Sequence, residues 1–404
     1  MTTSPALLPV RPAAGAAAAA LAPRPTPLPV GQLWFPDWDA YEATFRDLFD
    51  RQYYTNHGPL AQRLEARLAE MLQVRHVICV TNATIGLVMA VEALGLTGKV
   101  IVPSFTFIAS AQCLSWTGIT PVFCEVDPVT HQIDPAAAEA LIDPEVSAIL
   151  AVNLWGDACD TDALQAVADR HGIALFFDSA HAMGCRVDDR PVGGRGALEV
   201  FSFHATKVFS SAEGGCITTN DDALAARLRN IRSSYGAGKP VDVVKTSNGR
   251  MSEAQAAIGL LNLDKLPQAL TRNREIHLRY RDGLAGIPGV TLYEPSRVSH
   301  SNHQYIVCTI DAAAYGLSRD GLLQWLQAHQ IIARRYFTPG AHRSVPYVDT
   351  LPQYVDALPI TDRLNEQLIQ LPCGAMVSDE DVALICRLVA AAPRTAPGAA
   401  PPGA

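Results

Sequence analysis

Lys207 lies in a polar turn, HATKVFSSAEGG, between two runs that read as buried strands. Val200, Phe201 and Phe203 precede it, and Ile217, Thr218 and Thr219 follow it. An amine held there can attack a carbonyl, and burial that leaves it partly neutral near pH 7 lets it move protons as well. Asp178 ends the apolar run IALFFD, where a carboxylate can hold a cationic nitrogen. The turn TNATIGL follows the apolar run HVICV and opens a helix. Free backbone N–H groups and the helix dipole meet at such a turn, which suits an anion. Taken singly, each feature has a plain structural role: a lysine in a turn is ordinarily on the surface, Asp178 caps a strand end, and Thr81 or Asn82 caps a helix. Together, amine, carboxylate and anion cradle are the inventory for pyridoxal 5'-phosphate. Its aldehyde takes a lysine, its ring nitrogen a carboxylate, and its phosphate N–H and hydroxyl donors. No GxGxxG follows a strand and no GxxxxGK[ST] is present, so dinucleotide and P-loop readings lack their signatures.

The elements that must position these groups follow in order along the chain. Gly58 and Pro59 open a helix, with Leu60, Leu64, Leu68, Met71 and Leu72 at helical spacing. HVICV, KVIVP, PVFCEVD, AILAVN and IALFFD read as strands, and helices lie between them, one of them over Thr161 to His171. Apolar strands alternating with helices indicate an α/β domain with a mostly parallel sheet. Ligands of such sheets bind beyond the carboxyl ends of the strands, where Asp178 and the turns at Asn82 and Phe107 fall. A long helix from about Pro267 to Leu284 bridges to a smaller C-terminal domain with the strand HQYIVCTI and the helices GLLQWLQAHQ and SDEDVALICRLVAAA. The expected division is a disordered Ala/Pro-rich extension over residues 1–30, a large domain over 31–270, a small α+β domain over 271–390 and a disordered tail over 391–404.

Composition narrows the class. The chain has 404 residues, is 49% hydrophobic and carries a net charge of −8 without a basic block, which argues against nucleic acid. Nine cysteines show no CxxC pair and no zinc spacing, and most sit in apolar runs, so they read as small buried hydrophobes in a reducing cytoplasm; no metal site is expected. No apolar run approaches the ~18 residues of a membrane span. The N-terminal Ala stretch lacks a preceding basic segment and is broken by prolines, which favours a disordered extension over a signal peptide.

FFDSAHAMG and FSFHATKVFSSAEGG resemble the two signature stretches of the DegT/DnrJ/EryC1/StrS sugar aminotransferases. YYTNHGPL, VTNATIGL, VPSFTFIAS, SNGRMSEAQAAIG, RRYFTPGAHRSVPY and LIQLPCGAMVSDEDV match as well, so the resemblance runs from about Tyr53 to Leu388. It implies the fold of type I pyridoxal phosphate enzymes, in which helices sandwich a mostly parallel seven-stranded sheet and a smaller C-terminal domain follows. It assigns Lys207 to the Schiff base with the cofactor and to proton transfer, Asp178 to the pyridine nitrogen, and His181 to the ring or its phenolic oxygen. Phe107 is implied to stack on the ring face. Ala83, Thr84 and Ser202 are implied to hold the phosphate, with Asn248 reaching the phosphate of a neighbouring subunit, which makes the expected unit a homodimer with shared sites.

Some members of the family carry histidine in place of the lysine and dehydrate their substrate; Lys207 favours amino transfer. The resemblance implies L-glutamate or glutamine as donor and a nucleotide-linked keto sugar as acceptor, with pyridoxamine 5'-phosphate between the half-reactions. YYTNHGPL leans toward C4 of a dTDP-4-keto-6-deoxyhexose. His342, Tyr347 and Arg250 are candidates to face the sugar or its diphosphate. The alternatives are a 3-keto sugar or a keto-inositol as acceptor, a dehydratase or isomerase, and a cofactor-binding regulatory or scaffold protein without turnover.

Overall fold

The computed structural model describes residues 21, 23–32, 35–233 and 245–394. Its centre is a seven-stranded sheet, in spatial order His76–Val80, Gly215–Thr219, Glu199–Ser202, Ala174–Asp178, Val146–Val152, Lys99–Pro103 and Thr120–Cys124. Six strands run the same way, and Gly215–Thr219 alone is antiparallel to its neighbours. Side chains alternate across a strand, so each strand feeds two cores. Ile78, Val100, Leu150, Phe176 and Val200 pack with the helix Ala83–Leu94 on one face. Val77, Cys79 and Phe201 pack with the helix Pro59–Leu72 on the other, where Ile149 and Phe177 meet the helix Thr161–His171.

The helix Glu253–Leu284 joins this body to the C-terminal part. It starts earlier than the sequence suggested. Ser252 and Gln255 form a reciprocal capping box, and Pro267 lies inside the helix rather than at its first turn. Proline costs an interior helix one backbone hydrogen bond, a loss this helix offsets by packing along its length. Leu260, Leu263 and Leu266 belong to the large core, and Ile276, Tyr280 and Leu284 to a second one. Residue 270, taken as the domain boundary, therefore lies within one continuous helix. Beyond it, Val290–Leu292, Ile306–Ile310 and Leu368–Leu371 form an antiparallel sheet, covered by the helices Arg319–Ala328 and Asp379–Ala391.

The extension expected to be disordered over residues 1–30 is ordered at its end. Leu28–Pro29 pairs in parallel with Ile331–Ile332, and Leu28 and Val30 are buried. Two apolar side chains placed two apart in a proline-fixed extended segment add an edge strand to the C-terminal part. Arg24 adds an ion pair with Asp381. Residues 1–20 and 395–404 lie outside the described residues. All nine cysteines are buried and free. Among the described residues, no helix is long and apolar enough to cross a membrane.

Candidate active site

The carboxyl ends of the strands open into a cavity of about 540 Å³. Asp178 ends one strand and pairs in register with Val200 of the next, whose following turn carries Lys207. The amine and the carboxylate thus come from adjacent strands and line the same cavity.

Asp178 is 6% exposed. Ser110 Oγ donates to its Oδ2 at 2.7 Å and the Ala180 amide to its Oδ1 at 3.1 Å. Burial pushes the carboxyl above its ordinary value, against these two bonds and the charge of Lys207. Lys207 Nζ donates to Tyr305 Oη at 2.8 Å. Burial brings the amine down to about 8, while Asp178 pulls the other way. Tyr305 Oη is also 3.0 Å from His181 Nε2. Burial, then the charge of Lys207, holds the imidazole well below its usual value and therefore neutral. Its ring lies against Tyr305, with centroids 4.3 Å apart, and against Trp155 at 5.5 Å.

Another part of the cavity lining suits an anion. Asn82 caps the helix Ala83–Leu94 by accepting from the Ile85 amide at 2.9 Å, and Ala83 and Thr84 occupy its first turn, whose N–H groups have no partner within the helix. Ser202 lines the same region. Gly215 is required beside it: a Cβ there would lie 2.9 Å from Ala83 N and 2.7 Å from Phe201 O. These residues fit pyridoxal phosphate. The cradle keeps its backbone approach open, and the buried carboxylate, held by a hydroxyl and an amide alone, would be relieved by a protonated ring nitrogen.

Lys207, Asp178, His181, Phe107, Ala83, Thr84 and Ser202 all border this cavity. Phe107 is 57% exposed, free to cover a ring. Asn248 is exposed and outside the cavity of its own chain, bridged to Ser233. The three residues expected at the sugar do not face it. His342 is fully buried, with Nδ1 2.6 Å from Ser104 Oγ; its Nε2 lies 3.2 Å from Asp362 Oδ1, out of hydrogen-bonding alignment. Tyr347 is buried too, its hydroxyl 2.9 Å from Ser115 Oγ and its ring edge-on to Phe123. Arg250 is bridged to Val80, and its guanidinium donates to Ser233 Oγ at 3.2 Å. The segment from Gly340 to Tyr347 reads as a polar loop, but Ala341 and Tyr347 join the core and carry it inward. In their place the cavity wall has Tyr305, Arg334, Tyr336 and Phe337. Arg334, Tyr336 and Phe337 belong to the same stretch as His342 and Tyr347, RRYFTPGAHRSVPY, and are the part of it that reaches the cavity. Tyr305 stands in an apolar run with no signal of its own.

A model of the DegT/DnrJ/EryC1/StrS aminotransferase family matches residues 39–390. A dTDP-4-amino-4,6-dideoxy-D-glucose transaminase of Shigella dysenteriae is 37% identical over 78% of this chain and 85% of that protein. The Escherichia coli protein of the same name is 31% identical over 90% and 98%. Among solved structures, DesI in the presence of its TDP-sugar product superposes with a TM-score of 0.87 at 42% identity, covering 91% of this chain and 93% of that one.

Proposed function

The chain belongs to the DegT/DnrJ/EryC1/StrS aminotransferase family, and from that premise we propose that it moves the amino group of L-glutamate or glutamine to C4 of a dTDP-linked 4-keto-6-deoxy sugar. It is an aminotransferase with pyridoxal phosphate as cofactor. The observation that carries the reading is the pairing of Lys207 and Asp178 in one cavity. The acceptor is taken from the relatives named for a dTDP-4-amino sugar and from the TDP-sugar product of DesI.

When bound, pyridoxal phosphate supplies an aldehyde and a ring that withdraws electrons from the carbon beside the amino nitrogen. Ala83, Thr84 and Ser202 would take its phosphate, and Asp178 would keep a proton on its ring nitrogen. Lys207 Nζ takes the proton from the α-carbon of the donor and later delivers one to the sugar carbon that receives nitrogen. An amine at about 8 does both, because its two protonation states are close in energy near neutral pH. Phe107 covers the open face and helps to exclude water.

Purified holoprotein, given glutamate and a panel of dTDP- and GDP-linked 3- and 4-keto sugars, should yield a product bearing a new amine at C4 of the dTDP 4-keto sugar, read by mass and NMR. Amine at C3, or no amine from any member, would overturn the assignment. The active unit is assigned as a homodimer in which Asn248 of the partner subunit reaches the cofactor phosphate; its exposure, away from its own cavity, supports this. Lys207→Ala and Asn248→Ala subunits should each be weak alone and regain turnover when mixed, because one site of the mixed dimer is then intact. Absence of recovery in a mixed dimer shown to form would exclude a shared site.

A further inference from the structure

We propose that Gln304 and Tyr305 form a hydrogen-bonded clamp that fixes the lysine turn against the aspartate turn, and that Tyr305 is the positioning residue for the Lys207 amine. Both residues come from the segment that leads into the strand Ile306–Ile310 of the C-terminal part, not from the large sheet. Each bridges the same two loops. Gln304 Nε2 donates to His181 O at 2.8 Å, and Gln304 Oε1 accepts from the Val208 amide, next to Lys207, at 3.1 Å. Tyr305 Oη accepts from Lys207 Nζ at 2.8 Å and lies 3.0 Å from His181 Nε2. Asn302 holds the same turn, its Nδ2 donating to His181 O at 2.8 Å and Met183 O at 3.0 Å.

The chemistry follows from hydroxyl valence. A tyrosine hydroxyl has one proton to give and lone pairs to accept with. While Lys207 is an ammonium, all its protons point outward, so Tyr305 must accept from it, which leaves its own proton free for His181 Nε2. Neutral His181 can take that bond only with Nε2 bare. The clamp therefore favours the ammonium and offsets part of its burial. It also lets the small C-terminal sheet set where the amine stands.

The titratable groups around this amine are Asp178, His181 and Tyr305 itself. Arg334 and Tyr336 face Tyr305, and His204 and Glu213 stand on the cavity wall. Tyr305→Phe removes the bond from Lys207 and, with the same hydroxyl, the contact to the neutral His181 ring, and leaves the other groups in place.

This inference rests on the assignment of Lys207 as the anchoring lysine, and its test does not need turnover. Cofactor-free protein is labelled with a reagent that attacks neutral amines, at a series of pH values, and the Lys207 peptide is quantified by mass spectrometry. Tyr305→Phe should move the labelling midpoint of Lys207 about one unit downward, since the charged form loses its acceptor. 3-Fluorotyrosine at position 305 keeps the ring in place with a weaker acceptor and should move it the same way by less. In the holoenzyme, Tyr305→Phe should lower kcat several-fold with KM for the sugar within twofold. An unchanged midpoint in both folded variants would reduce Tyr305 to packing and overturn the proposal. A shifted midpoint in a protein that fails to transfer amine would leave the clamp standing and sink the assigned reaction instead.

Discussion

His181 and His342 are both buried, both within hydrogen-bonding distance of a hydroxyl and both lowered by burial, yet only His181 borders the cavity. Around His342 stand Ser104 and Asp362, a serine, a histidine and an aspartate that together suggest nucleophilic chemistry. The hydroxyl and the carboxylate there are already committed, and His342 Nε2, which lacks an aligned partner, is fully buried. Ser104 Oγ meets His342 Nδ1 and also accepts the His342 amide at 3.1 Å, while Ser104 O accepts from the Ala341 amide. Asp362 receives two bonds from Arg343, at 2.8 and 2.7 Å. The cluster ties the segment at Gly340 to the end of the strand Lys99–Pro103, and no substrate can reach Ser104, which is as buried as His342. Around His181 the accounts stay open. Lys207 is held by one hydroxyl, Asp178 by a hydroxyl and an amide, and both stand beside space. Chemistry is found where buried charge has fewer partners than it needs and a cavity to receive one; residue type alone does not mark it.

The contrast is broken most sharply by taking one residue from each cluster. Lys207→Ala should reduce amino transfer by about 10³-fold or more, since the proton carrier is lost. The protein should still fold, because the one hydrogen bond lost is that to Tyr305 and a buried charge is removed with it. Turnover and the urea midpoint measure the two effects. His342→Ala should do the reverse. It strands the Ser104 hydroxyl and opens a hole in packed surroundings, for a loss of about 2–4 kcal/mol in unfolding free energy. The surviving folded fraction should turn over within about threefold of wild type. A His342→Ala protein of normal stability and little activity would mean that this cluster communicates with the cavity after all.

Much of the first cluster was legible in the sequence, for a physical reason. A parallel sheet buried on both faces writes its strands as apolar runs, and polar residues that break those runs at the carboxyl ends stand out: Asp178 after LFF, the turn after HVICV, and Lys207 after VFSF. The helix Thr161–His171 was legible for the same reason, with Asp160 as its cap and Gly172 at its end. The other wall of the cavity was not. Tyr305 lies 98 residues from Lys207 and opens an apolar strand, so its aromatic ring reads as core. His342 and Tyr347 were misplaced because polar loops are expected at the surface, whereas this one is drawn inward by Ala341, Tyr347 and Leu358. Contacts between distant segments leave no local periodicity, and this cavity is closed by such contacts.

The smallest expected effect tests the unbalanced charge itself. Burial holds Lys207 at about 8 against an ordinary 10.5. Below pH 8 the lysine is protonated in folded and unfolded cofactor-free protein alike, and the folded state bears the whole cost of burying an ammonium. Between about 8 and 10.5 the unfolded chain binds more protons at this lysine than the folded one, so stability rises with pH through that window. Above it both forms are neutral and the cost is gone. Lys207→Met removes the charge and keeps most of the volume. At pH 7 the cofactor-free variant should therefore be more stable than wild type by on the order of 1 kcal/mol, a figure lowered for screening by water in the cavity. The advantage should shrink as pH rises from 8 to 10.5, and groups that titrate in both proteins cancel in the difference. Parallel thermal melts at pH 7, 9 and 10.5 measure it. A difference that stays constant across that range would show that the buried ammonium carries no strain, and the distinction between an open and a committed cluster would then rest on access alone.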